Sequence, residues 1–371
     1  MESFLSVLYT IAGFIAVITI VVFVHEMGHF LVARWNNVKV EVFSIGLGKE
    51  IFGVTDRYGT RWRVSWIPLG GYIKMLGEPT LEHNNSLPQI PRSSHAFIDK
   101  KTWQKIAIVA AGPIANFIFS IMLFTLIFWA FGKMVAAPVI AEIQKDMPAA
   151  EAGLMPEDKI LALDGKKINS FEDISRYIQL NTGQDISFLI ERNGKSSTLI
   201  IRPILKAVTD ILGDKQCVRQ VGIKFAETSH QEFAFFQSFE MAIAQTQNII
   251  SDSLTALSQI IVGERSVKQL QGIVSTARVS GEAARMGILS LLFLAGFLSV
   301  AIGLFNLFPI PLLDGGHLMF YLVELLRGKP LNIKIQEAAF KIGLILIGGI
   351  FILALYNDLI GAFQMQPIPE C

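Results

Sequence analysis

Residues 4–24, FLSVLYTIAGFIAVITIVVFV, run without a charge straight into His25-Glu26-Met27-Gly28-His29. The run is 21 residues long, and at about 1.5 Å per residue such a helix crosses a hydrocarbon core about 30 Å thick. Its flanks argue against a secretory leader. Met1-Glu2-Ser3 has no basic group, the apolar run is longer than a leader's core, and no small-x-small site follows it. The segment is therefore expected to remain as the first transmembrane helix of what further apolar runs along the chain suggest is a polytopic α-helical membrane protein.

Composition points the same way. Of 371 residues, 52% are apolar and 17% charged, against about 25% charged in average soluble chains, and the mean hydropathy is +0.49. Ile106 to Gly132 and Ile288 to Leu313 are uncharged runs of 27 and 26 residues, each long enough to span with tilt. Ile342 to Tyr356 is shorter, and reaches spanning length as Ala338 to Ile360 if Lys341 snorkels. Four transmembrane helices are expected. A net charge of +1 leaves no basic field for nucleic acid, so no nucleic-acid partner is expected.

Basic residues near helix ends set the orientation. The interval from Arg34 to Lys105 holds eleven Lys and Arg against six Asp and Glu, and Arg327, Lys329, Lys334 and Lys341 lie between the third and fourth helices. Both connections should be cytoplasmic, with the two termini and the long interval from Lys133 to Gly287 outside. Cys217 has no partner near it in sequence and is expected as an unpaired thiol, although topology would allow a bond to Cys371.

The soluble parts differ in kind. Val38 to Phe43, Trp62 to Trp66 and Gly71 to Leu76, set among glycines, suggest a short β structure dipping into the membrane. Val139 to Phe225 has the rhythm of a small mixed α/β domain, with strands at Val139 to Ile143, Lys159 to Leu163, Ile186 to Ile190, Thr198 to Ile201 and Val221 to Phe225. A helix is expected over Phe171 to Leu180, and a hairpin turn at Asn193-Gly194. Glu232 to Met286 is proline-free and amphipathic in pattern, and reads as helix against the membrane face.

The chemistry concentrates at two points. Four-residue spacing puts the imidazoles of His25 and His29 on one helical face, as two-point metal binding requires, with Glu26 beside them to take a proton from water. Charges within a spanning helix cost about 2.5 kcal/mol or more, so without a function they should be rare. A catalytic zinc usually has three protein ligands. The third is expected from Asn306-Leu307-Phe308-Pro309-Ile310-Pro311-Leu312-Leu313-Asp314-Gly315-Gly316-His317, with Asp314 ahead of His317. Asp314 could instead cap the next helix. His83, His95 and His230 sit in polar segments and are expected as solvated surface histidines.

His-Glu-x-Gly-His paired with Asn306-x-x-Pro-x-Pro-x-Leu-Asp-Gly resembles the site-2 protease family of intramembrane zinc metalloproteases. Ser44-Ile45-Gly46-Leu47-Gly48, Pro68-Leu69-Gly70-Gly71-Tyr72-Ile73-Lys74-Met75 and Ala111-Gly112-Pro113-Ile114-Ala115-Asn116-Phe117 look like its bacterial regulator-of-sigma-E protease branch. The Val139 to Phe225 region, with Pro148-Ala149 and Ala152-Gly153-Leu154, is similar to that branch's extracytoplasmic PDZ domain. Two departures stand out: there is room for one PDZ domain where well-known members have two, and Leu270-Gln271-Gly272 replaces the usual Gly-Pro.

The resemblance implies Zn2+ held by His25, His29 and Asp314, Glu26 as general base, and Asn306 holding the substrate or its oxyanion. Substrate is expected to add as a strand along Gly70, Gly71, Tyr72 and Ile73. The implied organisation is helix one at 1–35, the β-loop region at 36–102, helix two at 103–133, a PDZ-like domain at 137–226 and an amphipathic helical region at 227–287. Helix three follows at 288–313 and helix four at 336–361. The protein would sit in the bacterial inner membrane with its active site near the cytoplasmic side. It would cleave single-pass transmembrane proteins such as anti-sigma factors or signal-peptide remnants. Two rival readings are a catalytically idle PDZ scaffold, which would have no use for two buried imidazoles, and a metal-ion transporter that uses the same residues as a permeation site.

Overall fold

The computed structural model describes residues 2–78, 93–209, 215–225, 228–267 and 272–362. The chain opens with α1 (Glu2–Trp35), strands β1 (Val40–Thr55) and β2 (Arg61–Met75), and α2 (Thr102–Phe131). Then come β3 (Lys133–Ala136), β4 (Ile140–Ile143), a short α3 (Pro148–Glu151), β5 (Lys159–Leu163), β6 (Lys166–Lys167) and α4 (Phe171–Leu180). Strands β7 (Ile186–Arg192), β8 (Lys195–Ile201), β9 (Ile204–Thr209), β10 (Lys215–Gln220), β11 (Ile223–Phe225) and β12 (Thr228–Gln231) follow. The last helices are α5 (Phe235–Val262), α6 (Ile273–Met286), α7 (Ile288–Asn306), α8 (Asp314–Arg327) and α9 (Ile333–Ala362).

Four of these helices are long and apolar enough to cross a membrane, over Val7–Trp35, Thr102–Phe131, Ile288–Asn306 and Lys334–Ile360. Exposed side chains such as Ile345 and Ile352 give α9 an apolar surface suited to lipid. The chain forms two compact units, the first made of Met1–Thr125, Phe239–Ile250 and Gly272–Leu355 and the second of Leu126–Ser238, Ser251–Gln271 and Tyr356–Cys371.

In the first unit, β1 and β2 each bend, so that two strands supply four runs. Residues 40–45 pair with 71–75 on one side and with 61–64 on the other, while residues 50–55 pair back onto 61–65. Gly46 and Gly48, at φ 86° and 91°, make the bend. The run 71–75 is thereby an edge strand. The sheet is anchored on α1 and α2 by a core of Phe30, Val38, Phe43, Met75, Phe97 and Ile108, with Phe43 stacked on Trp62 at 4.5 Å between centroids. The expected strands at 38–43, 62–66 and 71–76 thus belong to a larger sheet, and residues 50–55, for which no strand was expected, form one of its edges.

The second unit holds an antiparallel sheet in the order β6-β5-β7-β8. Alternate residues of β7, Ile186, Phe188 and Ile190, are fully buried against Ile160, Leu163, Ile174 and Ile178, the period-2 pattern of a one-face strand. Ser170 and Asp173 form a capping box at the start of α4. Asn193 and Gly194, at φ 52° and 75°, make the β7–β8 turn. Asp158, fully buried, takes two 2.7 Å hydrogen bonds from the Arg192 guanidinium.

Several expectations are corrected here. Glu232 to Met286 is not one helical stretch: α5 ends at Gly263 in a left-handed cap at φ 85°, and α6 begins at Ile273. The 227–287 region also contains β12, paired with β3. Strands β9 and β10 form a hairpin, while β4 pairs with β11 and β3 with β12 across long stretches of chain, and β9–β10 had no turn signal strong enough to be read. Cys217 is disulfide-bonded rather than an unpaired thiol, since spatial neighbours are invisible to sequence spacing. Cys371, Leu270, Gln271 and His83 lie outside the described residues. His95 is exposed as expected. His230 is exposed too, but its Nε2 bonds the Phe131 carbonyl at 2.8 Å, closing the end of α2.

Candidate metal centre

One helical turn on α1 brings His25 and His29 together with their Nε2 atoms 3.2 Å apart and both side chains buried. The segment after α7 carries Pro309 and Pro311, which stop that helix. Leu312, at φ 90°, holds a turn that costs a branched residue about 1–3 kcal/mol, two positions before Asp314. That turn delivers Asp314 Oδ2 to within 3.1 Å of His25 Nε2 and 3.4 Å of His29 Nε2.

These donors fit a zinc ion. Asp314 Oδ2 is buried yet has no hydrogen-bond partner, a costly condition for a carboxylate oxygen unless a cation claims it. For bonds of about 2.05 Å, tetrahedral ligand atoms stand about 3.3 Å apart. The three observed edges are 3.1, 3.2 and 3.4 Å. Two imidazoles and a carboxylate are also the donor set of catalytic zinc sites that keep one position open.

Neighbouring groups hold the imidazoles. His29 Nδ1 is 2.9 Å from the Ile108 carbonyl of α2, and donating there leaves Nε2 free to ligate. Asn116, fully buried on the same helix, has its amide 3.4 Å from His25 Nδ1. Between these contacts lies Gly112, where any Cβ would overlap His29 Nε2 and come within 2.9 Å of His25 Cε1. Only glycine lets α2 approach this closely.

The centre opens into a cavity of about 370 Å³ that His25, Glu26, His29, Asn306 and Asp314 line, together with Gly70, Gly71, Tyr72 and Ile73. A Cβ on Gly71 would sit 2.8 Å from the Ser44 carbonyl and 2.9 Å from Val22 Cγ1, so glycine allows the edge strand to lie against α1 beside Glu26. The backbone N–H of Ile73 faces the Glu26 carboxylate. Asn306 ends α7, and among the described residues its amide makes no hydrogen bond. His317 does not join the three donors. It packs in an aromatic wall with Tyr321 and Phe340, and burial holds its imidazole below the ordinary value, with Asp314 pulling the other way. Burial pushes the Glu78 carboxyl up, although Met75 N–H donates to it at 3.1 Å.

Sequence reasoning had left Gly112, Asn116, Ile108 and Glu78 without roles. A signal existed for one of them: Asn116 is an uncharged polar residue within an otherwise apolar spanning run, where such groups seek partners.

Residues 13–350 match the model of peptidase family M50. The chain belongs to peptidase family M50. A relative named "Putative zinc metalloprotease" from Agrobacterium fabrum is 40% identical over 94% of this chain and 95% of its own length. Metalloprotease MmpA of Caulobacter vibrioides is 32% identical over 95% of this chain and 96% of its own. This M50 member is a zinc metalloprotease of the site-2 protease type. Among solved structures, the PDZ domain of an SdrC-like protein from Listeria monocytogenes is similar at 20% identity. It covers 25% of this chain and 92% of its own, with a TM-score of 0.21, too low to decide the fold of any part.

Proposed function

We propose that this M50 protein is an intramembrane endopeptidase in which His25, His29 and Asp314 hold Zn2+ and Glu26 is the general base. The observation that carries this is the convergence of two imidazoles and an orphaned carboxylate oxygen beside Glu26, in a cavity lined by an edge strand. When bound, zinc supplies Lewis acidity to the carbonyl of the scissile bond. Glu26 accepts a proton from the attacking water at its carboxylate and returns it to the departing amine. Asn306, with an unspent amide, donates to the substrate carbonyl as negative charge grows on its oxygen. The edge at Gly70, Gly71, Tyr72 and Ile73 pairs with the substrate backbone and keeps it extended, because a helical peptide bond is shielded by its own turn.

The substrates are single-pass transmembrane proteins, of which anti-sigma factors and signal-peptide remnants are the classes the family resemblance favours. The protein resides in the bacterial inner membrane with the metal centre toward the cytoplasm, as the basic residues around Arg34 to Lys105 support. The 137–226 region acts as a PDZ-like domain on the opposite side. A scaffold or an ion transporter would have no need of a base beside the metal and a free strand edge.

The test is cleavage of a model transmembrane peptide by the full chain in detergent. Chelation of zinc should abolish cleavage, and added zinc should restore it. Cleavage that persists in zinc-free protein would overturn the proposal.

A further inference from the structure

The Asn116 amide lies beside the histidine pair with one of its two ends unpartnered. It is fully buried. Its Nδ2 lies 3.4 Å from His25 Nδ1, while its Oδ1 is buried with no partner. That orientation would have the amide donate to Nδ1, which requires the proton of a neutral His25 to sit on Nε2. Yet an imidazole nitrogen that ligates a metal must be unprotonated, and Nε2 is the atom that meets the other two donors, 3.1 Å from Asp314 Oδ2 and 3.2 Å from His29 Nε2. A half-turn of the amide about its terminal torsion, a soft rotation, exchanges the two ends. It puts Oδ1 opposite His25 Nδ1, where it can accept, and moves Nδ2 to the buried position that Oδ1 held.

The backbone around Asn116 leaves the side chain no retreat. Its carbonyl accepts from Ser299 Oγ at 3.0 Å, and a Cβ on Gly303 of α7 would lie 3.1 Å from Asn116 Cβ. The residue is thus pinned between α7 and the histidine pair.

We infer that Asn116 is a positioning residue for the metal: its side-chain carbonyl accepts a hydrogen bond from His25 Nδ1–H and keeps Nε2 unprotonated and aimed at the ion. His29 is held in the same manner by the Ile108 carbonyl, so each imidazole has its own acceptor on α2. This rests on the reading that His25, His29 and Asp314 hold zinc.

The experiment measures zinc dissociation constants of the metal-stripped full chain in detergent by chelator competition, with thermal melting of the metal-free proteins as the control for folding. Asn116→Leu keeps the volume and removes the acceptor, and should weaken zinc binding by about 10- to 100-fold. Asn116→Asp restores an acceptor and should bind within about threefold of the unmodified protein, as carboxylate partners of ligating histidines do. A packing role predicts the reverse, since leucine suits an apolar interface and a buried carboxylate does not. Unchanged affinity in a folded Asn116→Leu protein overturns the inference, as does equal weakening in both variants. If Asn116→Leu does not fold, Asn116→Asp decides alone: binding within threefold supports the inference and weaker binding overturns it. His29→Ala separates the two levels. If it binds zinc as tightly as the unmodified chain, the ligand assignment itself fails, whereas loss in His29→Ala with retention in Asn116→Leu defeats the positioning role only.

Discussion

Asp314 had two uses open to it, a helix N-terminus and the histidine pair, and its geometry separates them. The residue before it, Leu313, is the N-cap of α8, and no side-chain cap bond is made there. The carboxylate turns toward His25 and His29 instead. Asp314→Ala should therefore lower zinc content and activity together, while His317→Ala, which removes part of an aromatic wall, should be milder. Metal analysis of the two purified variants checks this, and zinc loss that follows His317 would contradict it. Asp158 makes a separate case in the second unit. Burial raises its carboxyl, but hydrogen bonds from Arg192 and the Met155 amide, with the Arg192 charge, outweigh it and leave a net lowering. A lowered carboxyl stabilises the fold above its ordinary value near 3.9, and the contribution is lost as pH falls through the lowered one. Asp158→Asn should cost the domain about 1–3 kcal/mol at neutral pH. Faster hydrogen exchange across β7 reads that loss, and it should shrink below about pH 4. Equal exchange rates at pH 7 would show that the ion pair contributes nothing.

At the scale of elements, legibility follows whether a feature is local. The His25 and His29 pairing is written in one helical turn, and the Asn193-Gly194 hairpin in one dipeptide. Residues 50–55 were missed because Lys49, Glu50 and Gly53 break the apolar pattern; they become a strand only through pairing with 61–65. Asn116 and Gly112 lie in a helix whose own sequence does not say which imidazole each will face. The edge strand carries a prediction of its own. Ile73 lies in the run 71–75, which is paired on one side only, so Ile73→Pro removes a strand donor at the sheet edge, a position where proline is tolerated. Activity should fall with zinc retained. Substrates with Gly or Pro near the scissile bond should be cut faster than poly-Leu versions. Equal rates for the two, measured where chemistry limits turnover, would count against strand addition.

For the whole molecule, the uncharged runs marked the four helices that are long and apolar enough to cross a membrane, because a bilayer enforces length and composition over some twenty residues at a time. Nothing so simple governs the interval between α2 and α7. There the β9–β10 hairpin and the division of α5 from α6 depend on packing, and the disulfide at Cys217 on proximity in space. Deleting 137–226 should leave a short transmembrane substrate cleavable and admit substrates with bulky outer domains; a folded deletion protein that no longer cuts the short one would show that the domain serves the chemistry. The most direct measurement of the central claim pairs zinc content with cleavage in Glu26→Gln. Glutamine keeps all three donors at His25, His29 and Asp314 and removes only the base. The account predicts zinc bound as in the unmodified chain and cleavage of the transmembrane peptide abolished. Cleavage by that variant at near the unmodified rate would contradict it.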